Sequence, residues 1–179
     1  VPMKQVISGA FDTLSHCMET YMGKPQATNL SDEINEAVMR NVITNLRRLI
    51  RNPDDDFARG ELMWASAMAE NGMLKLGKQT DFQCHMIEHA VGAYTDCNHG
   101  QGLAVIHPAL YRRLLEAGKE KLARMAETVW GVKGTTIEET AMRGIEALEA
   151  FIREIGLPTH WSEMGITDES MLRAAADTC

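Results

Sequence analysis

Apolar residues recur every three or four positions along most of the chain, the spacing that keeps one face of an α-helix continuously nonpolar. In "SGAFDTLSHCMETYMG" the stripe is Phe11, Leu14, Met18 and Met22, and Gly23 and Pro25 close the segment. "LSDEINEAVMRNVITNLRRLIRNP" predicts a second helix with Ser31 as N-cap, acids in its first turn and Ile34, Val38, Val42, Leu46 and Leu49 down one face. A third runs through "DDDFARGELMWASAMAENGMLKLG", where Asp caps precede Phe57, Leu62, Ala65, Ala69 and Met73. "DFQCHMIEHAVGAYTD" predicts a fourth, and "LAVIHPALYRRLLEAG" starts a fifth, with Pro108 near its first turns or kinking it. The polar break "CNHGQG" separates these two. "KEKLARMAETVWG", "TIEETAMRGIEALEAFIREIG" and "TDESMLRAAADTC" complete the series, the last capped by Thr167 or Asp168. No strand alternation competes, so the fold class is all-α, a bundle of about seven to nine helices in one domain, residues 1–179.

Composition supports a packed domain: of 179 residues, 45% are apolar and 24% charged, which excludes a disordered chain. The net charge of −7, with no basic cluster beyond "RRLIR", argues against nucleic acid and anionic membranes as partners. On a helix end that stretch, Arg47 to Arg51, is expected to face solvent and complement the dipole. No apolar run reaches membrane-spanning length and no leader pattern is present. Cys17, Cys84, Cys97 and Cys179 form no C-x-x-C pair, so a reduced, cytoplasmic setting is the expectation, with Cys17 and Cys84 as small buried residues. The opening Val1-Pro2 and the uncapped ending "MLRAAADTC" suggest part of a longer protein.

Histidine and carboxylate spacing carries the chemistry. Asp12 and His16 are four apart on one helix, as are His85 and His89 on another, so each pair projects from one face. His99 follows in a Gly-bounded turn, where Gly100 and Gly102 would let the backbone approach a ligand. Transition metals need such N and O donors. Spacing alone nominates Asp12, His16, His85 and His89, with His99 in reserve. "HMIEH" also matches an inverted zincin motif with Glu88 as general base, an alternative reading as a zinc metallopeptidase. The His16/Glu19 and His85/Glu88 pairs suggest a two-metal bundle, although the usual order is Glu-x-x-His. A non-catalytic bundle with core histidines is the third alternative. His107 reads as a core or rim histidine and His160 as a surface or packing residue.

"GAFDTLSHCMETY" followed by "HMIEHAVGAYTDCNHGQGLAVIHPAL" resembles the iron-containing (group III) alcohol dehydrogenases, most closely their butanol dehydrogenase branch, from about Ser8 to Leu157. The resemblance implies an oxidoreductase with a Rossmann-like nucleotide-binding domain, absent here, followed by a helical metal- and substrate-binding domain. It implies a divalent metal, Fe2+ or Zn2+, held by Asp12, His16, His85 and His99. His89 then becomes the catalytic residue that faces the nicotinamide of NAD(P)H and the substrate, a small alcohol or aldehyde. The full-length form is expected to be a homodimer, and the isolated domain to be inactive.

Overall fold

The computed structural model describes residues 1–80 and 82–178; Asp81, where the fourth predicted helix begins, and Cys179 lie outside them. Among the described residues there are eight α-helices and no strand, with one isolated bridge between Lys24 and Gln79. They are α1 (Met3–Met22), α2 (Leu30–Arg51), α3 (Asp56–Glu70), α4 (Gln83–Thr95), α5 (His99–Arg113), α6 (Leu115–Met125), α7 (Ile137–Glu154) and α8 (Glu169–Ala176). None is long and apolar enough to cross a membrane.

The all-α expectation holds, and α1 explains how it is organised. It packs against α2, α3, α5 and α6, so almost its whole circumference is buried. Phe11, Leu14, Cys17, Met18 and Tyr21 are fully enclosed. The small residues Ser8, Ala10, Thr13 and Ser15 between them keep neighbouring helices close. A central helix is therefore the platform from which Asp12 and His16 project.

Several boundaries differ from the pattern, each for a local reason. Asn29, not Ser31, caps α2: its side chain accepts from Asp32 N at 3.0 Å, and Asp32 returns the bond to Asn29 N at 3.2 Å. Ser31 instead donates to Leu76 O at 2.5 Å. Asp55 caps α3; Phe57 lies in its first turn and Met73 beyond its end at Glu70, and both are exposed rather than on the buried stripe. Arg48 covers the Phe57 ring with its guanidinium at 5.0 Å from the centroid. Arg48 and Arg51 lie in the last turn of α2, as expected, while Arg47 reaches α7 through a two-pronged bond to Glu154. Beyond α6 the chain widens into a short π-helix, Ala126–Trp130. Asp168 caps α8.

The largest departure concerns "CNHGQG". The break is real but shorter, residues 96–98: Asn98 caps α5 by accepting from Gln101 N at 3.2 Å, and His99 is already the helix's first residue. Pro108 consequently sits in the helix interior. The glycines serve packing rather than ligand approach. A Cβ on Gly100 would lie 2.3 Å from Ser8 O, and one on Gly102 would lie 2.8 Å from Glu88 Cγ. Their bare backbones let α5 press onto α1 and α4, which brings His99 toward Asp12.

An ion cluster with no sequence signal ties α1, α2 and α6 together. Asp32 is completely buried and accepts from Lys78 Nζ at 2.6 Å and from Lys121 Nζ. Lys78 also donates to Tyr21 O at 3.1 Å, and Lys121 lies 4.9 Å from the centre of the Tyr21 ring. Burial pushes the Lys121 ammonium below its ordinary range.

Candidate metal centre

Four side chains from three helices converge. Asp12 and His16 come from α1, one turn apart, His85 from the first turn of α4 and His99 from the start of α5. Asp12 Oδ1 lies 3.4 Å from His16 Nε2, 3.3 Å from His85 Nε2 and 3.5 Å from His99 Nε2, and the two Nε2 atoms of His16 and His85 are 3.1 Å apart. A tetrahedral ion with N and O donors at about 2.0–2.1 Å has ligand-to-ligand edges of about 3.3–3.4 Å. Asp12, His16 and His85 match that figure and lie close enough together to share one ion, while His99 joins them through Asp12 alone and groups more tightly with Glu88 and His89.

The orientation of the imidazoles fits the same purpose. All three histidines turn Nε2 toward Asp12 and Nδ1 toward a glutamate. His85 Nδ1 meets Glu19, His99 Nδ1 meets Glu88, and His16 Nδ1 lies against Glu70 without hydrogen-bond alignment. An outer carboxylate on the far nitrogen is the usual companion of a metal-bound histidine. The His16/Glu19 and His85/Glu88 spacing is thus used across helices: Glu19 serves His85 and Glu88 serves His99.

Electrostatics reinforce the arrangement in the metal-free chain. Burial alone would raise the Asp12 carboxyl, but hydrogen bonds from His85 and His99 hold it well below the usual carboxylate range. Burial opposes charge on His85, yet its bonds to Asp12 and Glu19 raise it to about 9. Bonds to Asp12 and Glu88 lift His99 to about 10. Burial and the neighbouring His85 push His16 down. At neutral pH His85 and His99 therefore carry protons that a divalent cation must displace, so metal uptake by this set should release protons and strengthen as pH rises.

The family model described as "Fe-containing alcohol dehydrogenase family, C-terminal" matches residues 6–179. The chain belongs to that family. Among curated Fe-containing alcohol dehydrogenase relatives, it is 34% identical to NADH-dependent butanol dehydrogenase A of Clostridium acetobutylicum and 30% identical to the NADPH-dependent aldehyde reductase YqhD of Escherichia coli; each match covers 96% of this chain and 44% of the relative. The crystal structure of an NADH-dependent butanol dehydrogenase A from Thermotoga maritima superposes with a TM-score of 0.93 at 32% identity, covering 99% of this chain and 44% of that one. The chain therefore spans less than half the length of these relatives, within the C-terminal region of the family.

Of the residues that spacing nominates, the structure gathers Asp12, His16 and His85 and brings in His99 rather than His89. His89 is exposed at the edge, its ring centroid 6.0 Å from that of His85 and 5.4 Å from that of His99, the latter pair stacked. Glu88 is buried behind His99, away from any open face, which removes the general base that a peptidase reading of "HMIEH" needs. Phe82, which the pattern did not single out, packs against the cluster with its ring 5.4 Å from His16 and 5.2 Å from His85. It stands in the left-handed region at φ 51°. Only the fold reveals Phe82 and Glu70 as neighbours of the site, because neither has a spacing that sets it apart, whereas Glu19 and Glu88 stand out in the sequence but with other partners and roles.

His107 and His160 keep to the roles their settings suggest. His160 is exposed. His107 is fully buried beneath the cluster, with Nε2 2.6 Å from Ser15 Oγ and Nδ1 3.4 Å from Cys84 Sγ. Burial drives its pKa down from 6.5 to about 4. Between those values the unfolded chain takes up a proton that folded His107 refuses, so stability falls as pH drops through this window. The expected contribution lost by pH 4 is on the order of 3 kcal/mol. Urea unfolding of wild type and His107→Gln from pH 7 to pH 4 measures it: the variant should show the shallower decline, and equal slopes would refute the assignment.

Proposed function

We propose that this chain is the metal- and substrate-binding helical part of an NAD(P)-linked alcohol dehydrogenase or aldehyde reductase. On this reading it acts on small primary alcohols and aldehydes of the butanol type. The observation that carries the reading is the gathering of Asp12, His16 and His85 at ligand spacing, with His99 Nε2 3.5 Å from the same Asp12 oxygen.

Asp12, His16, His85 and His99 would hold one Fe2+ or Zn2+, a donor set that suits either ion. When bound, the ion supplies Lewis acidity that polarises a substrate oxygen. The chain's own residues set the conditions around it. Asp12 brings the one negative charge of the ligand set, and three neutral imidazoles leave that set short of neutralising a dication. Phe82 excludes water from one flank of the imidazoles. His89, exposed beside His99 and one turn from His85, is the group placed to take or give the substrate proton and to meet the nicotinamide. Hydride transfer needs a nucleotide-binding surface, which this reading assigns to a preceding domain of the kind the resemblance implies. The full-length protein is then a cytoplasmic homodimer.

The purified chain is expected to turn over no butanal with NADH or NADPH. Joined to the preceding half of the Clostridium acetobutylicum relative, it should reduce butanal, and a chelator should abolish that activity. Turnover by the chain alone, or a chelator-insensitive fusion, would contradict the proposal.

A further inference from the structure

Glu19 and Glu88 are the most deeply buried carboxylates next to the metal centre, at 5% and 3% exposure. Neither is among its four converging donors. A buried carboxylate must have its oxygens satisfied, and here the partners all serve the centre. Glu19 Oε1 accepts from Cys84 N at 2.6 Å, while its Oε2 takes His85 N at 3.3 Å and His85 Nδ1. These amides belong to the first turn of α4, where a helix supplies no backbone acceptor of its own, and the N-cap, Phe82, offers no side-chain bond. A carboxylate from α1 therefore caps α4 and orients its histidine with the same two oxygens.

Glu88 is held as closely. Its Oε2 takes His99 Nδ1 and its Oε1 accepts from Cys97 Sγ at 3.6 Å. Glycines wall the carboxylate on two sides: a Cβ on Gly102 would stand 2.8 Å from Cγ and 3.0 Å from Oε1, and one on Gly92 would stand 3.4 Å from Oε1. Gly102 has a helical, unremarkable backbone, so its lack of a side chain has this one use.

We propose that Glu19 and Glu88 are positioning residues that hold His85 and His99 with Nε2 toward Asp12, and that Gly102 is the seat that lets Glu88 do so. This rests on the metal reading above and adds to it residues that touch neither metal nor substrate. Fixing the far nitrogen selects the tautomer that leaves the Nε2 lone pair free and raises its basicity. Glu70 provides a contrast: it is half exposed and not aligned with His16, so it should matter little.

The test uses the complete chain and Zn2+ in competition with a chromophoric chelator. Loss of an outer-sphere partner typically weakens metal binding about 10–100-fold. Glu88→Gln, which keeps an acceptor and loses the charge, should fall near the lower figure, and Glu88→Ala near the upper. Gly102→Ala should weaken binding too and shift the visible bands of the Co2+-loaded chain, whereas Glu70→Gln should stay close to wild type. Wild-type affinity in both Glu88 variants, with binding lost in His85→Ala, would overturn the positioning role while leaving the metal site standing. If the unaltered chain took up no Zn2+, the metal reading would fail instead. Nitrogen-15 NMR of the metal-free chain decides the positioning role separately. A hydrogen-bonded Nδ1 proton on His99 that disappears in Glu88→Ala supports it, and an unchanged His99 signal refutes it.

Discussion

Alanine at Asp12, His16, His85 or His99 should each strip the protein of tightly bound metal, whereas His89→Ala should retain it. Elemental analysis of purified variants and a Zn2+ competition titration read the outcome directly. The expected loss exceeds the roughly 100-fold that removal of an outer partner produces, because on the proposed reading each of the four supplies one donor atom to the ion. The contrast with His89 is the informative part. His89 lies one turn from His85 on α4, the spacing that metal-binding helices use, yet its ring stacks on His99 at the exposed edge. In the fusion with a nucleotide-binding half, His89→Ala should bind metal normally and reduce butanal more slowly. Loss of metal in His89→Ala, or retention in His99→Ala, would require a different ligand set.

Asp32→Ala should destabilise the fold by about 3–5 kcal/mol, the range for breaking a buried ion pair by removing one partner. The alanine leaves Lys78 and Lys121 enclosed without their shared carboxylate, and the capping bond to Asn29 N is lost as well. Chemical denaturation measures the change. Glu154→Ala offers the comparison: its partner Arg47 is 39% exposed, so water replaces the lost bond and the cost should stay under about 1 kcal/mol. Equal effects from the two variants would show that the Asp32 cluster is not enclosed in solution. None of Asp32's partners, Lys78, Lys121 and Asn29, bonds to Asp12, His16, His85 or His99, so Asp32→Ala, where folded, should bind Zn2+ like wild type.

How much of this was open to reading from the residues depends on how local each signal is. Helix existence was legible because the stripe Phe11, Leu14, Met18 repeats within a single turn or two and needs no partner to be recognised. Caps were less so. Ser31 and Asn29 are both good N-caps, and the choice fell to Asn29 because Asp32 could complete its capping box while Ser31 found Leu76 O. Gly100 and Gly102 looked like a turn, since glycine permits turns. Their actual use is the close approach of α5 to Ser8 and Glu88, which spacing along one chain cannot express.

The metal centre divides along the same line. The sequence by itself determined an all-helical domain and a short list of donors, because the helical period places Asp12 beside His16 and His85 beside His89 whatever the rest of the chain does. The resemblance to a dehydrogenase family then preferred His99 over His89. Only the tertiary structure decided which nitrogens meet: His99 reaches Asp12 because two glycines let α5 settle against α1 and α4. It also decided that Glu19 and Glu88 turn His85 and His99 inward, across helices rather than along them. Periodicity is a property of one helix, and a coordination site is a property of three packed together.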